Sequence, residues 1–435
     1  MSYEERDMDA YYRGRADEEI WRRSRKLGLS RRRVLELAGL VGGSALLGAA
    51  CTDDKKKVAT PTTPSSLPKV QSNIVKDIPP SKFDYVESAG FNAEMRWENM
   101  VGRGYLTPND LFFVRQSAAT PRINGRDWKL TVSGSGVTKP LEFTYDQLLA
   151  LPEVTSVIRY VECAGNGRVF FDEVLGELTF LEGEQGARVD IPQWRLGGVG
   201  VAEWTGVPLG AILERAGVKP SAHDVVPGGL DESGLRRPMS VAKAMEDDTL
   251  LAFAMNGDPL PLDHGFPVRA IVPGWVGNQS VKWVGSIEVS EEPVFVPQNT
   301  TMYVYIGPGY QPEPPRKGPV VEKQVMKTAL ELEWPAKLTP TAHTIRGRAW
   351  GPEGISKVEY SVDEGKTWKP AQILPGPNEK LAWVRYSFDW QPPAGEHKLM
   401  ARATDLKGKV QPAKIPWNQQ GMNYGAVVAH PVTVA

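Results

Sequence analysis

Cysteine is scarce in this chain: its 435 residues hold two, Cys51 and Cys163. Cys51 ends a segment that reads as an export signal, so no intramolecular disulfide staples the folded body. Histidine is also sparse, at five residues, and no hydrolase motif joins one to a thiol. Neither sign of charge is in excess, with 51 Lys+Arg against 52 Asp+Glu, so nothing points to nucleic acid as a partner. The apolar run from Leu37 to Ala50 is about fourteen residues, short of the roughly twenty that cross a bilayer. A Gly-x-Gly-x-x-Gly fingerprint and regular βαβ alternation are both missing, which argues against a dinucleotide fold. So is any Cys-x-x-Cys-His site for covalent haem.

What remains is informative. Cys163 lies in Arg159-Tyr160-Val161-Glu162-Cys163-Ala164-Gly165-Asn166-Gly167-Arg168, after a strand-like run and inside a small-residue turn. Arg168, five positions on, favours a thiolate. An unpaired thiol in an exported protein is inert, paired between chains, reactive or a metal ligand, and its neighbours alone leave these open.

Residues 1–51 form the predicted signal. Arg31-Arg32-Arg33 stands before a weakly apolar, Gly/Ala-rich core, the pattern of twin-arginine export. That route carries folded proteins, which suits a cofactor loaded in the cytoplasm and an extracytoplasmic or periplasmic destination. The core ends Leu47-Gly48-Ala49-Ala50-Cys51, similar to a lipoprotein cleavage site. A lipidated Cys51 anchors the chain to a membrane; an unmodified one leaves it soluble. Residues 52–72 are rich in Asp, Lys, Thr, Pro and Ser and read as a disordered tether.

About 360 residues follow, enough for two cores. The proline-rich stretch Gly307–Pro315 marks the best boundary, giving domains at 73–320 and 321–435. The first mixes strands, as at Trp128–Val132 and Val157–Glu162, with short helices at Thr144–Leu151 and Leu209–Ala216. The second alternates in polarity at 330–334, 343–350, 357–362, 384–390 and 397–403, with turn signals between. Short strands at this spacing predict an immunoglobulin-like β-sandwich, and the whole an α+β chain.

Four segments together resemble the sulfite oxidase family of molybdenum cofactor enzymes, from about Asn109 to the C-terminus. The first is Glu162–Arg168, close to that family's Cys-Ala-Gly-Asn-Arg-Arg. The second is His264-Gly265-Phe266-Pro267-Val268-Arg269 with Gly277-Asn278-Gln279-Ser280-Val281-Lys282. Asn109–Ser117 and the C-terminal strands supply the others. The resemblance implies an α+β molybdopterin domain followed by a dimerisation domain of immunoglobulin type, and Mo-molybdopterin as cofactor. It places Cys163 on the metal, and Phe113, Arg115, Asp231, His264, Arg269, Ser280, Val281 and Lys282 on the cofactor. Arg115, Arg168, Tyr303 and Trp194 fall at the substrate. Departures are Gln116 and Ser117 for Asn and His, and Gln279 and Gln420 for arginines.

The implied activity is oxidation of a small anion such as sulfite to sulfate, with electrons leaving to an external acceptor of the cytochrome kind. A homodimer is also implied. Two other readings stay open: a reductase of an S-oxide or other small oxyanion, and a non-catalytic surface lipoprotein binding through its sandwich.

Overall fold

Where apolar residues alternate with polar ones, the chain folds as strands. In Lys129–Ser133 the alternate side chains Leu130 and Val132 are fully buried and their neighbours exposed, the period of a sheet with one wet face. Leu250–Met255, apolar throughout, is buried along its whole length, as befits a strand covered on both faces. The computed structural model describes residues 73–87, 90–171, 180–182, 188–190 and 192–435. The predicted export signal, Cys51 and the tether lie outside the described residues.

The first sheet has five strands in the order Met239–Ser240, Asp224–Gly229, Val284–Ser290, Lys129–Ser133 and Leu141–Thr144. One pairing is parallel, Val284–Ser290 with Lys129–Ser133. The second runs Asp258–Pro259, Leu250–Met255, Val199–Pro208 and Thr155–Glu162, with Arg269–Ile271 also paired to Leu250–Met255. Among the described residues the α-helices are few and short. Tyr145–Leu149 is capped reciprocally: Gln147 N–H donates to Thr144 Oγ1 at 3.3 Å, and Thr144 N–H to Gln147 Oε1 at 2.8 Å. Leu209–Arg215 buries Leu209, Ile212 and Leu213. The α+β expectation therefore holds coarsely, as mostly sheet with few helices.

Beyond Gly307–Pro315, a four-stranded and a five-stranded sheet enclose one core built on Ile345, Val358, Phe388, Leu399, Ala403 and Val432. The strand predicted at 330–334 forms instead at Lys327–Leu330. The chain then crosses between sheets, so Ala336–Leu338 pairs with Ala429–Val434 on the other one. Polarity alternates through 330–334, across the crossing, and alternation alone does not register it.

Contacts bind the two halves closely, and Asn73–Ala435 forms one compact unit. Trp97 stacks on Trp350 with ring centroids 5.9 Å apart and meets Trp383 at 6.0 Å. Arg348 pairs with Glu331 at 2.7 Å and donates to the Tyr105 and Gly104 carbonyls, each at 2.9 Å.

Candidate active site

Cys163 leaves the end of strand Thr155–Glu162 and enters a tight turn. Its N–H donates to the Gly198 carbonyl and its carbonyl accepts from Asn166 N–H, both at 2.9 Å. The 3-10 turn Gly277–Gln279 lies against this strand so closely that a Cβ on Gly277 would sit 2.6 Å from the Glu162 carbonyl. Glycine is what lets the predicted cofactor loop reach the thiol.

Cys163 lines a cavity between the two sheets' loops. Phe113, Arg115, Asp231, His264, Arg269, Ser280, Lys282 and Tyr303 line it too, so residues spread over some 190 positions meet in one place. Among the described residues, three cations face it. Arg115 donates to Ser117 Oγ at 2.8 Å. Burial works against its charge, yet Tyr303, Cys163, Glu87 and Asp231 hold its pKa above the usual arginine value. Arg269 donates to the His264 and Ser280 carbonyls at 3.0 Å, lies 5.0 Å from the Trp204 ring, and is lowered to about 9 by burial. Lys282 donates to the Asp263 carbonyl at 2.8 Å and to Gln116 Oε1 at 3.1 Å; burial pushes its pKa well down.

Several polar atoms on this wall are buried without a hydrogen-bond partner among the described residues. They are His264 Nε2, Asp231 Oδ1 and both amide atoms of Asn278. Burial, followed by Lys76, Lys282 and Arg269, drives the His264 pKa well down, so its ring is neutral. Buried orphans of this kind cost roughly 1–3 kcal/mol each unless a ligand pairs them. A cavity that offers one thiol, three cations and unpaired donors and acceptors fits an anionic, polar cofactor that needs a thiolate.

Three predicted residues lie outside the lining. Trp194 is buried behind it, meeting Phe113 edge to face at 6.0 Å. Val281 packs in the core of the first sheet, and its carbonyl accepts from Ala270 N–H at 2.8 Å. Arg168 turns away: Nε donates to the Gln420 carbonyl at 3.0 Å and Nη1 to that of Pro192. Burial lowers its pKa, with Cys163 and Tyr303 acting in the opposite sense. Arg168 thus backs the turn rather than facing the cavity.

Tyr303 stands at φ +49°, in the left-handed region that non-glycine residues avoid. Gln420 holds it there, since Oε1 accepts from Tyr303 N–H at 2.9 Å and Nε2 donates to the Thr301 carbonyl at 2.8 Å. Gln279 is engaged as well, taking a 2.9 Å bond from Arg237, whose guanidinium lies 5.7 Å from the Tyr303 ring. Burial brings Arg237 down to about 10. Sequence reasoning missed Arg237 and the pocket residue Asp263, and gave no role to Asn278 or Gln116. Asn278 lies inside a segment already singled out, but nothing local shows that its amide goes unpaired. Arg237 follows Arg236, which pairs with Glu288 nearer the surface, and sequence does not separate the two.

Residues 117–297 match the family described as "Oxidoreductase molybdopterin binding domain", and 325–433 the "Mo-co oxidoreductase dimerisation domain". Over 76% of this chain, chicken (Gallus gallus) sulfite oxidase is 31% identical, with 74% of its own length covered. Mouse (Mus musculus) mitochondrial sulfite oxidase is 32% identical over the same share, and the chain spans 62% of its length. Nitrate reductase [NADH] 1 of Phaseolus vulgaris is similar at 28% identity, covering 76% of this chain and 40% of that protein. Among solved structures, the sulfane dehydrogenase SoxCD of Paracoccus pantotrophus superposes with a TM-score of 0.68 at 29% identity. That match covers 80% of this chain and 87% of that one. The chain belongs to the sulfite oxidase family of molybdopterin-dependent oxidoreductases, with Mo-molybdopterin as its cofactor.

Proposed function

We propose that this chain oxidises a small sulfur oxyanion, sulfite foremost, to its oxygenated product and passes the electrons to an external carrier. The observation that carries the reading is that Cys163, Arg115 and Tyr303 share one cavity with the unpaired atoms of His264, Asp231 and Asn278. Cys163 would hold the metal. Arg269, Lys282, Ser280, His264 and Asp231 would hold the pterin and its phosphate, cations matching anionic oxygens and Asp231 accepting from amino groups. When bound, the group supplies oxygen-atom transfer and takes up two electrons; overall, sulfite and water give sulfate, two protons and two electrons. Arg115 attracts and orients the anion by charge and directed hydrogen bonds. Tyr303, fixed by Gln420, directs its hydroxyl at the substrate. Phe113 and, behind it, Trp194 exclude water from that side, and Arg168 adds positive potential from behind the turn.

A second reading, reduction of an S-oxide or related oxyanion, is favoured by one feature. Gln420 and Ser117 leave those positions without a cation, and Gln420 is committed to the Tyr303 backbone. Molybdenum per chain, then sulfite-dependent reduction of ferricyanide or cytochrome c against sulfoxide-dependent oxidation of a reduced dye, separates the two. Metal-loaded protein inert toward sulfite but active in the second assay would overturn the first reading.

The dimerisation-domain match at 325–433 supports a homodimer built on an immunoglobulin-like sandwich spanning 321–435, with the cofactor domain at 73–320. The acceptor is proposed to be an external cytochrome. Arg31–Arg33 and the run to Cys51 support twin-arginine export to the periplasm, with lipidation at Cys51. Cell fractionation of Cys51→Ala should move the protein from membrane to soluble fractions; no movement removes the anchor.

A further inference from the structure

Directly behind Cys163 lies a closed ion pair that the proposed chemistry does not use. Glu162 and Lys327 are 0% and 1% exposed, with Nζ 2.6 Å from Oε1. Every strong polar group of the pair is engaged. Glu162 Oε1 also accepts from Asn166 Nδ2 at 2.9 Å, and Oε2 accepts from Trp350 Nε1 at 3.0 Å. Lys327 Nζ donates to the Asn166 carbonyl at 2.7 Å as well. The Asn166 side chain completes the ring by accepting from Gly198 N–H at 2.9 Å, and Gly198 in turn accepts from Cys163 N–H.

The pinning comes from the C-terminal half of the chain. Lys327, on the strand Lys327–Leu330, and Trp350, on His343–Trp350, grip the Glu162 carboxylate. Gln324 Nε2 donates to the Glu162 carbonyl at 2.6 Å, and Asn423 N–H to that of Ala164 at 2.7 Å. The residues on both sides of the thiol are thus held by a part of the protein to which the family match gives only dimerisation. A buried pair is a costly way to hold a turn, because apolar residues of equal size often stabilise as well or better. What a pair adds is balanced charge. Glu162 alone would set a desolvated anion one residue from a metal-bound thiolate, and Lys327 cancels it.

We propose that Glu162 and Lys327 are positioning residues for Cys163, fixing its turn and keeping the charge behind the thiolate balanced, so that the C-terminal sheets help set the electron affinity of the metal. This rests on Cys163 being the molybdenum ligand. An uncompensated anion favours the oxidised, more positive metal, and an uncompensated cation the reduced one. The test is the midpoint potential and the Mo(V) paramagnetic resonance signal of the metal-loaded homogeneous protein in three variants. Lys327→Met should lower the potential, Glu162→Gln should raise it, and Glu162→Gln/Lys327→Met should return it to the parent value, with altered signals only in the single variants. Glu162→Gln and the double variant decide the matter alone if Lys327→Met fails to fold. A purely structural pair would lower the melting temperatures of the single variants and leave potential and signal unchanged; that result, or shifts of the same sign, overturns the proposal. Parent protein matured in the cytoplasm yet free of molybdenum would overturn the metal site itself, and this inference with it.

Discussion

Arg115 and Gln420 show how differently two residues can serve one cavity. Arg115 faces the space where a small anion would sit, and its charge is sustained by Tyr303, Cys163 and acidic neighbours despite burial. A charge-assisted hydrogen bond of this kind contributes about 1.5–3 kcal/mol. Arg115→Met should therefore lower kcat/KM for sulfite roughly 10- to 150-fold, chiefly through KM, in steady-state assays on metal-loaded protein. Gln420 acts indirectly. Its amide satisfies the Tyr303 N–H and the Thr301 carbonyl and so holds a backbone that otherwise costs of order 1–3 kcal/mol. Gln420→Ala should reduce kcat while leaving bound molybdenum unchanged, and an unaltered kcat would show that Tyr303 needs no such support. The glutamine is visible in the sequence, but its service to Tyr303, 117 positions away, is not.

Among the elements, the longer strands and both predicted helices were legible because their apolar period repeats over a full turn or several residues. The strand Ala93–Met95 was not, since three residues show no period and its central Glu94 is buried. Glu94 Oε2 accepts from Arg195 N–H at 2.9 Å and Gly197 N–H at 3.1 Å. Burial nevertheless pushes its pKa up to about 8, against those bonds and Arg195 and with Asp84 adding to the rise. The folded carboxyl keeps a proton that the unfolded chain releases near pH 4.5, so its contribution is full below that pH and lost as pH climbs through about 8. Glu94→Gln cannot ionise, and its melting temperature relative to the parent should rise between pH 5 and pH 8.5. Thermal scans at the two pH values check this, and a constant difference would place the carboxyl in its ordinary range.

At the scale of the whole molecule, the division into two sheet systems is plain in the sequence, whereas their mutual dependence is not. Trp97 from the first half is packed with Trp350 and Trp383 from the second, and Lys327 reaches Glu162 beside the thiol. A chain ending at residue 320 would uncover Trp97 and strand the buried Glu162 carboxylate. It should retain less than a tenth of the molybdenum of the full chain, measured per mole of soluble protein. Light scattering of the full chain should give twice its 47.9 kDa mass; a monomer would remove dimerisation from the proposal.

The sequence by itself determined the family, because Glu162–Arg168 and the loops from His264 to Lys282 are contiguous strings whose small, cationic and thiol residues sit at set spacings. Nine of the twelve residues singled out in it line one cavity of the fold. Tertiary structure alone decided which neighbours within those strings face inward. Val281 turned to the core, Trp194 became a backing wall, and Arg168 turned toward Gln420, 252 positions on. Only the fold brought Lys327 to Glu162 across 165 positions. The physical reason is that local pattern fixes the path of the backbone, while the direction and charge balance of a buried side chain depend on partners that distant chain segments bring.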